Sequence, residues 1–196
     1  MGDVLPLRSE QSERDLTAWV GMSVFLAGWG MAFATLFFVL GYLRVRSGVW
    51  PPAGAPALYI VPAAINTGIL MASSAALVYG LGRIRRNDNV GLIRGLVAAI
   101  SLGGAFLAVQ AWGWSNMATE GLSAAIHGTY ASTYYALTAF HAAHVLAGVL
   151  VLVWVLWGAA GRRFNNAVHT PVRTGAMFWH FVDGMWVLTF VSLYVL

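Results

Sequence analysis

His180 and Asp183 stand three residues apart in the stretch Phe178-Trp179-His180-Phe181-Val182-Asp183-Gly184-Met185-Trp186, inside the last apolar segment of the chain. Residues at that spacing share a helix face. An ionisable group at membrane depth is costly and needs a partner, which makes the pair a candidate functional site. His141 and His144 repeat the spacing in the preceding apolar segment. Three imidazoles and a carboxylate offer three chemistries: ligation of haem or a metal, proton relay, and mutual hydrogen bonding.

Ligation is poorly served, because two histidines on one helix face cannot reach opposite faces of one haem. A non-haem site needs further ligands that the other segments do not offer. A relay needs polar groups continuing from one membrane face to the other, and the buried acids stop at Asp183. Autonomous transport fits no better: five spans do not divide into equal halves, and Pro62 lies near a helix start, where proline is tolerated. The reading that remains is an interhelical polar cluster of His141, His144, His180 and Asp183. Each group satisfies another where water is absent. Asn66 and Gln110 are its secondary polar contacts.

The elements that must position these residues are membrane spans. Of the 196 residues 59% are hydrophobic and 9% charged, against about 25% charged in soluble domains. Cysteine is absent, which excludes disulfides and thiolate sites, and no Walker loop, Gly-x-Ser-x-Gly or His-Glu-x-x-His motif occurs. A spanning helix needs about 20 mainly apolar residues. Five segments qualify, at about 18–42, 58–81, 91–114, 130–157 and 174–196. Residues 1–17 are polar and lack a signal-peptide pattern, so they are expected to form a short cytoplasmic tail before a single transmembrane domain over 18–196. Trp50-Pro51-Pro52-Ala53-Gly54 is a loop, Arg83–Asn89 is a charged turn, and 115–128 is expected to be a polar loop.

Nine of the eleven arginines fall in the tail and in the loops after spans two and four, and only Arg44 and Arg46 lie on the other side. The net charge of +4 therefore marks membrane orientation rather than nucleic-acid binding. The expectation is a cytoplasmic N-terminus, an outside C-terminus, and an outer aromatic belt of Trp50, Trp112, Trp114 and Tyr130. Trp50 outside and Arg83 and Arg86 inside are candidate contacts for lipid headgroups.

Several spaced motifs carry a family resemblance. Thr138-Ala139-Phe140-His141-Ala142-Ala143-His144-Val145 with Gly148, and Trp179-His180-Phe181-Val182-Asp183 with Trp186, resemble signatures of subunit III of haem-copper oxidases. Trp50-Pro51-Pro52, Asn66-Thr67 with Ser73-Ser74, Leu102-Gly103 through Gln110, and Gly128–Tyr135 match further elements in family order.

The resemblance implies an all-α membrane protein of five transmembrane helices in two groups, one–two and three–five, forming a V-shaped cleft that holds phospholipid. It implies the non-catalytic subunit III of a proton-pumping cytochrome c oxidase in a prokaryotic plasma membrane. Such a subunit supports stability, lipid binding and proton uptake by subunit I. Haems and copper are then expected in the partner subunits I and II, with none bound by this chain. The equivalent subunit of a quinol oxidase or nitric oxide reductase is the alternative. An autonomous small cytochrome or carrier is the reading from another class. Gly28-Trp29 stands where the family usually carries Ser-Glu, and Gly113 where it carries a second glutamate. These departures point to a divergent member, such as one from a larger respiratory supercomplex. They also leave any proton-delivery role that needs those acids unsupported.

Overall fold

The computed structural model describes the backbone from residue 7 to 196 and side chains from residue 12. Among the described residues the regular structure is entirely helical: α1 Leu7–Arg46, α2 Ile60–Ile84, α3 Asn89–Thr119, α4 Ala124–Ala160 and α5 Thr170–Phe190, with a wide closing turn over Val191–Val195. All five are long and apolar enough to cross a membrane. In hydrocarbon, a helix satisfies every backbone polar group within its own segment, which is why apolar runs of this length take this form.

Two boundaries differ from the expectation. The 40 residues of α1 start at Leu7, so most of the expected tail (residues 7–17) continues the first helix. Residues 1–6 lie outside the described residues. The expected loop over 115–128 is mostly helix: α3 runs to Thr119, and α4 begins at Ala124 and passes a kink at Gly128 (φ 51°). Polarity ended the apolar pattern in both places without ending the helix. At ~1.5 Å per residue such helices outrun a ~30 Å hydrocarbon layer, so polar turns project into water.

The grouping of helices also differs from the expected one–two against three–five. α2 packs most heavily on α3 and then on α5, whereas α1 lies on α5 and marginally on α4. Thus α2, α3, α4 and α5 form a four-helix ring, α1 flanks it, and α1 and α2 are not a packed pair. The physical reason is a glycine contact. A Cβ on Gly95 would fall 2.7 Å from the Ala76 carbonyl oxygen and from Gly80 Cα. Only bare backbone allows α2 and α3 to approach so closely, the usual device where lipid removes the hydrophobic drive between helices. A second notch holds Trp179 of α5 between Gly103 of α3 and Gly148 of α4, where added Cβ atoms would lie 2.6 and 2.8 Å from the indole.

The arginine-rich end is tied by polar contacts. Asp88 caps α3 by accepting from the Gly91 amide at 2.8 Å and pairs with Arg83. The Gly91 amide first, and Arg83 against opposing desolvation, hold its carboxyl below the usual carboxylate range. Asn89 donates to the Ala159 carbonyl at 2.8 Å, and Asn87 accepts from the Asn166 amide at 2.8 Å, joining two loops. At the opposite end a second core forms around Met117, Leu122, Tyr130, Ala131 and Tyr134, with Trp50 and Trp114 against it.

Candidate functional site

Ser74 of α2 connects the two polar groups of α5. Its hydroxyl lies 2.8 Å from His180 Nδ1 and donates to Asp183 Oδ2. A serine hydroxyl has one proton. With that proton on the carboxylate contact, His180 Nδ1–H supplies the other, and His180 Nε2 is left as an acceptor. Asp183 is 5% exposed, and its Oδ1 is buried without a hydrogen-bond partner. The triad sits about half-way along both helices, and Trp186 one turn further on donates to Thr67 Oγ1 of α2 at 2.9 Å. Two polar clasps therefore fasten α5 to α2. Ser74 lacked an individual signal in the sequence, where it was only half of a Ser-Ser pair. Its neighbour Ser73 bonds instead to the Ala99 carbonyl of α3 at 3.0 Å. Depth points to the Ser73-Ser74 pair at the level of Asp183, and rotation about the α2 axis chooses between the two.

His141 and His144 do not join this triad. His141 is fully buried, and neither ring nitrogen has a hydrogen-bond partner. Its ring packs beside Trp186 at 5.0 Å, Phe106 at 5.6 Å and Phe33 at 6.4 Å between centroids. His144 bonds only locally, its Nδ1–H donating to the Phe140 carbonyl at 2.7 Å, and its ring packs edge-on with Trp29 at 4.3 Å between centroids. The expected four-residue cluster thus divides into a polar clasp and an aromatic cage. The reason is which side chains face each pair: α2 offers a hydroxyl, whereas α1 and α3 offer Trp29, Phe33 and Phe106.

The secondary contacts lie elsewhere. Asn66 Nδ2 donates to the Phe106 carbonyl at 3.3 Å, and its Oδ1 is buried without a partner. Gln110 is buried and, with Asn66 and Gly113, lines a small cavity of about 30 Å³ near the less basic end. Of the lipid candidates, Trp50 stacks edge-on with Tyr130 at 5.0 Å, and Arg83 pairs with Asp88. Arg86 is exposed. Among the described residues no three His, Cys, Asp or Glu side chains converge to hold a metal ion.

Comparison with known proteins places this geometry in context. Residues 16–196 match the family model for cytochrome c oxidase subunit III. The chain is 33% identical over 177 residues to cytochrome c oxidase subunit 3 of Synechocystis sp., spanning 90% of this chain and 74% of that one. It is 33% identical to the same subunit of Thermostichus vulcanus over 90% of this chain and 86% of that one. With the subunit of Corynebacterium diphtheriae it shares 34% identity over 96% and 93%.

Proposed function

The chain belongs to the cytochrome c oxidase subunit III family, and on that footing we propose that it is the non-catalytic subunit III of a cytochrome c oxidase, held beside subunits I and II. Those partners carry the haems and copper, reduce oxygen to water and pump protons, and this chain has no active site of its own. The observation that carries the reading is the Ser74–His180–Asp183 clasp, which spends the ionisable groups of α5 on joining two helices. The histidines most suited to ligation are otherwise engaged: His141 is sealed by aromatic rings and His144 bonds to its own helix.

The subunit resides in a prokaryotic plasma membrane. Its arginine-rich loops and N-terminus face the cytoplasm and its C-terminus faces outside, in line with the arginine bias. Phospholipid covers the outer apolar faces, with Arg86 near the headgroups on the inner side. Its contribution to the complex is rigidity and sustained turnover. Where the resemblance places a glutamate in the first helix, Trp29 lies against His144 instead, so this helix lends no acid to proton uptake at that position.

The test is purification through this chain in mild detergent, with an optical spectrum and protein identification on one sample. A haem- and copper-containing partner with an electron-entry subunit for cytochrome c is the expected result. A quinol-oxidizing or nitric-oxide-reducing partner would redirect the assignment to those relatives. A haem spectrum from the isolated chain would overturn the accessory role.

A further inference from the structure

Gln110 of α3 is 5% exposed, and its side-chain amide has no hydrogen-bond partner among the described residues. Both amide atoms stay within reach of a water-sized sphere, unlike Asn66 Oδ1, which is buried in the wall. Gln110 therefore, rather than Asn66, is the polar group that the cavity beside it can satisfy. That cavity, of about 30 Å³, is bounded by Asn66 of α2, by Gln110, Gly113 and Met117 of α3, by Tyr134 of α4 and by Tyr194 of the closing turn. Part of the room comes from Gly113, where an added Cβ would meet nothing within 4 Å. The phenol groups of Tyr134 and Tyr194 interact with each other at its wall. An acyl chain offers neither donor nor acceptor, so an amide left unmet among lipid and apolar side chains bears the full cost of a missing hydrogen bond.

We propose that this cavity is a hydration site: one or two waters bind the Gln110 amide and bridge it to the Tyr134–Tyr194 pair, fastening α3 and α4 to the closing turn. The volume exceeds the roughly 10–15 Å³ that one water needs and leaves no room for a larger ligand. No charged side chain lines the space, so an ion would lie there uncompensated, and a neutral ligand is required. Amide and phenol each donate and accept, and so does water, which meets both without forcing a tautomer or a charge. The cavity also reaches Tyr59, at the start of α2. Water therefore enters from that end of the bundle without crossing the hydrocarbon. At the arginine-rich end, loops and helices are tied by direct contacts such as Asn89 to the Ala159 carbonyl. Here the tie passes through solvent held inside the protein.

The experiment is X-ray radiolysis of the intact purified complex in isotopically labelled water, in which hydroxyl radicals born from bound water oxidise the side chains beside it. Met117 and Tyr134 are 1% and 3% exposed and line the cavity. Trp179, equally buried but in the notch between Gly103 and Gly148, is the dry control, and exposed Trp154 reports bulk water. Met117 and Tyr134 should take up label well above Trp179. Gln110→Leu should lower the Met117 label about fivefold, the occupancy lost with one net hydrogen bond, and leave Trp154 unchanged. Labels at Met117 and Tyr134 no higher than at Trp179 would show a dry cavity and overturn the inference. A Met117 label that persists undiminished in assembled Gln110→Leu would overturn it equally, because the amide would then not hold the water. The wild-type labels decide whether the site is hydrated even where Gln110→Leu fails to assemble. The hydration site belongs to this chain whichever partner lies beside it, so the labelling test and the purification test above fail independently.

Discussion

His180–Asp183 and His141–His144 are the same pattern written twice: two polar residues three apart, half-way along adjacent spans. One pair became an open polar clasp and the other a dry aromatic cage. Their own spacing does not distinguish them, and the facing helix does. Ser74 stands within 2.8 Å of His180, whereas His141 meets the rings of Phe33, Phe106 and Trp186. A polar residue inside a membrane protein is thus defined by what the next helix presents at its depth. The clasp borders a groove, while His141 at the centre of the cage is fully buried, so the two also differ in what can still reach them.

The strongest way to break the comparison is to move α2. Gly95→Leu forces a side chain into the Ala76 carbonyl and Gly80, an overpacking cost of about 3 kcal/mol or more. It should separate α2 from α3, displace Ser74 from α5, and leave the α1 side of the cage in place. Thermal unfolding in detergent measures the loss, and tryptophan fluorescence of Trp29 beside His144 checks that the cage survives. Ser74→Ala acts on the clasp alone. It leaves His180 and Asp183 facing each other without their shared hydroxyl, for a loss of about 1–3 kcal/mol. If the melting temperature of the purified complex is unchanged, the clasp is not a structural element.

His141→Phe sharpens the contrast from the other side. The imidazole makes no hydrogen bond and sits among rings, so an apolar ring should change stability by less than about 1 kcal/mol and in the favourable direction. His180→Phe in parallel should be destabilising. Equal effects at the two positions would erase the distinction drawn between them.

The smallest effect concerns the arginine-rich turn. Asp88 has a folded-state pKa below its ordinary value, held there by the Gly91 amide and Arg83. A depressed carboxylate stabilises the fold above the unfolded pKa, and that contribution fades as pH falls through the folded value. Amide exchange at Gly91 should therefore quicken as pH drops below the ordinary carboxylate range. Asp88→Asn should flatten the profile, and an unchanged profile would remove Asp88 from the cap.

Much of this was legible in the residues. The five spans follow from apolar length, the turns from proline and arginine, and the His180–Asp183 face from spacing. What stayed hidden depended on pairing between spans. A lipid-soluble helix presents apolar residues to neighbours and to acyl chains alike, so hydrophobic pattern does not tell which helix lies beside which. The proximity of α2 to α3 rests on Gly80 and Gly95, two of 22 glycines, and no local feature singles them out. Ser74 was obscured in the same way beside Ser73, since only rotation about the α2 axis separates their duties. The aromatic cage needed Phe33 and Trp29, which arrive from the first helix, more than 100 positions before His141.

The clasp joins residues 109 positions apart, and that separation has a consequence for how the chain is made. At roughly 5–20 residues per second of synthesis, Ser74 waits on the order of 5–20 seconds for Asp183. The α2–α3 hairpin, closed by its glycine contact, is complete long before the last span leaves the ribosome. Asp183 then enters the bilayer on a helix whose hydrogen-bonding partner is already installed, and the newborn hairpin serves as the template on which the final segment is threaded.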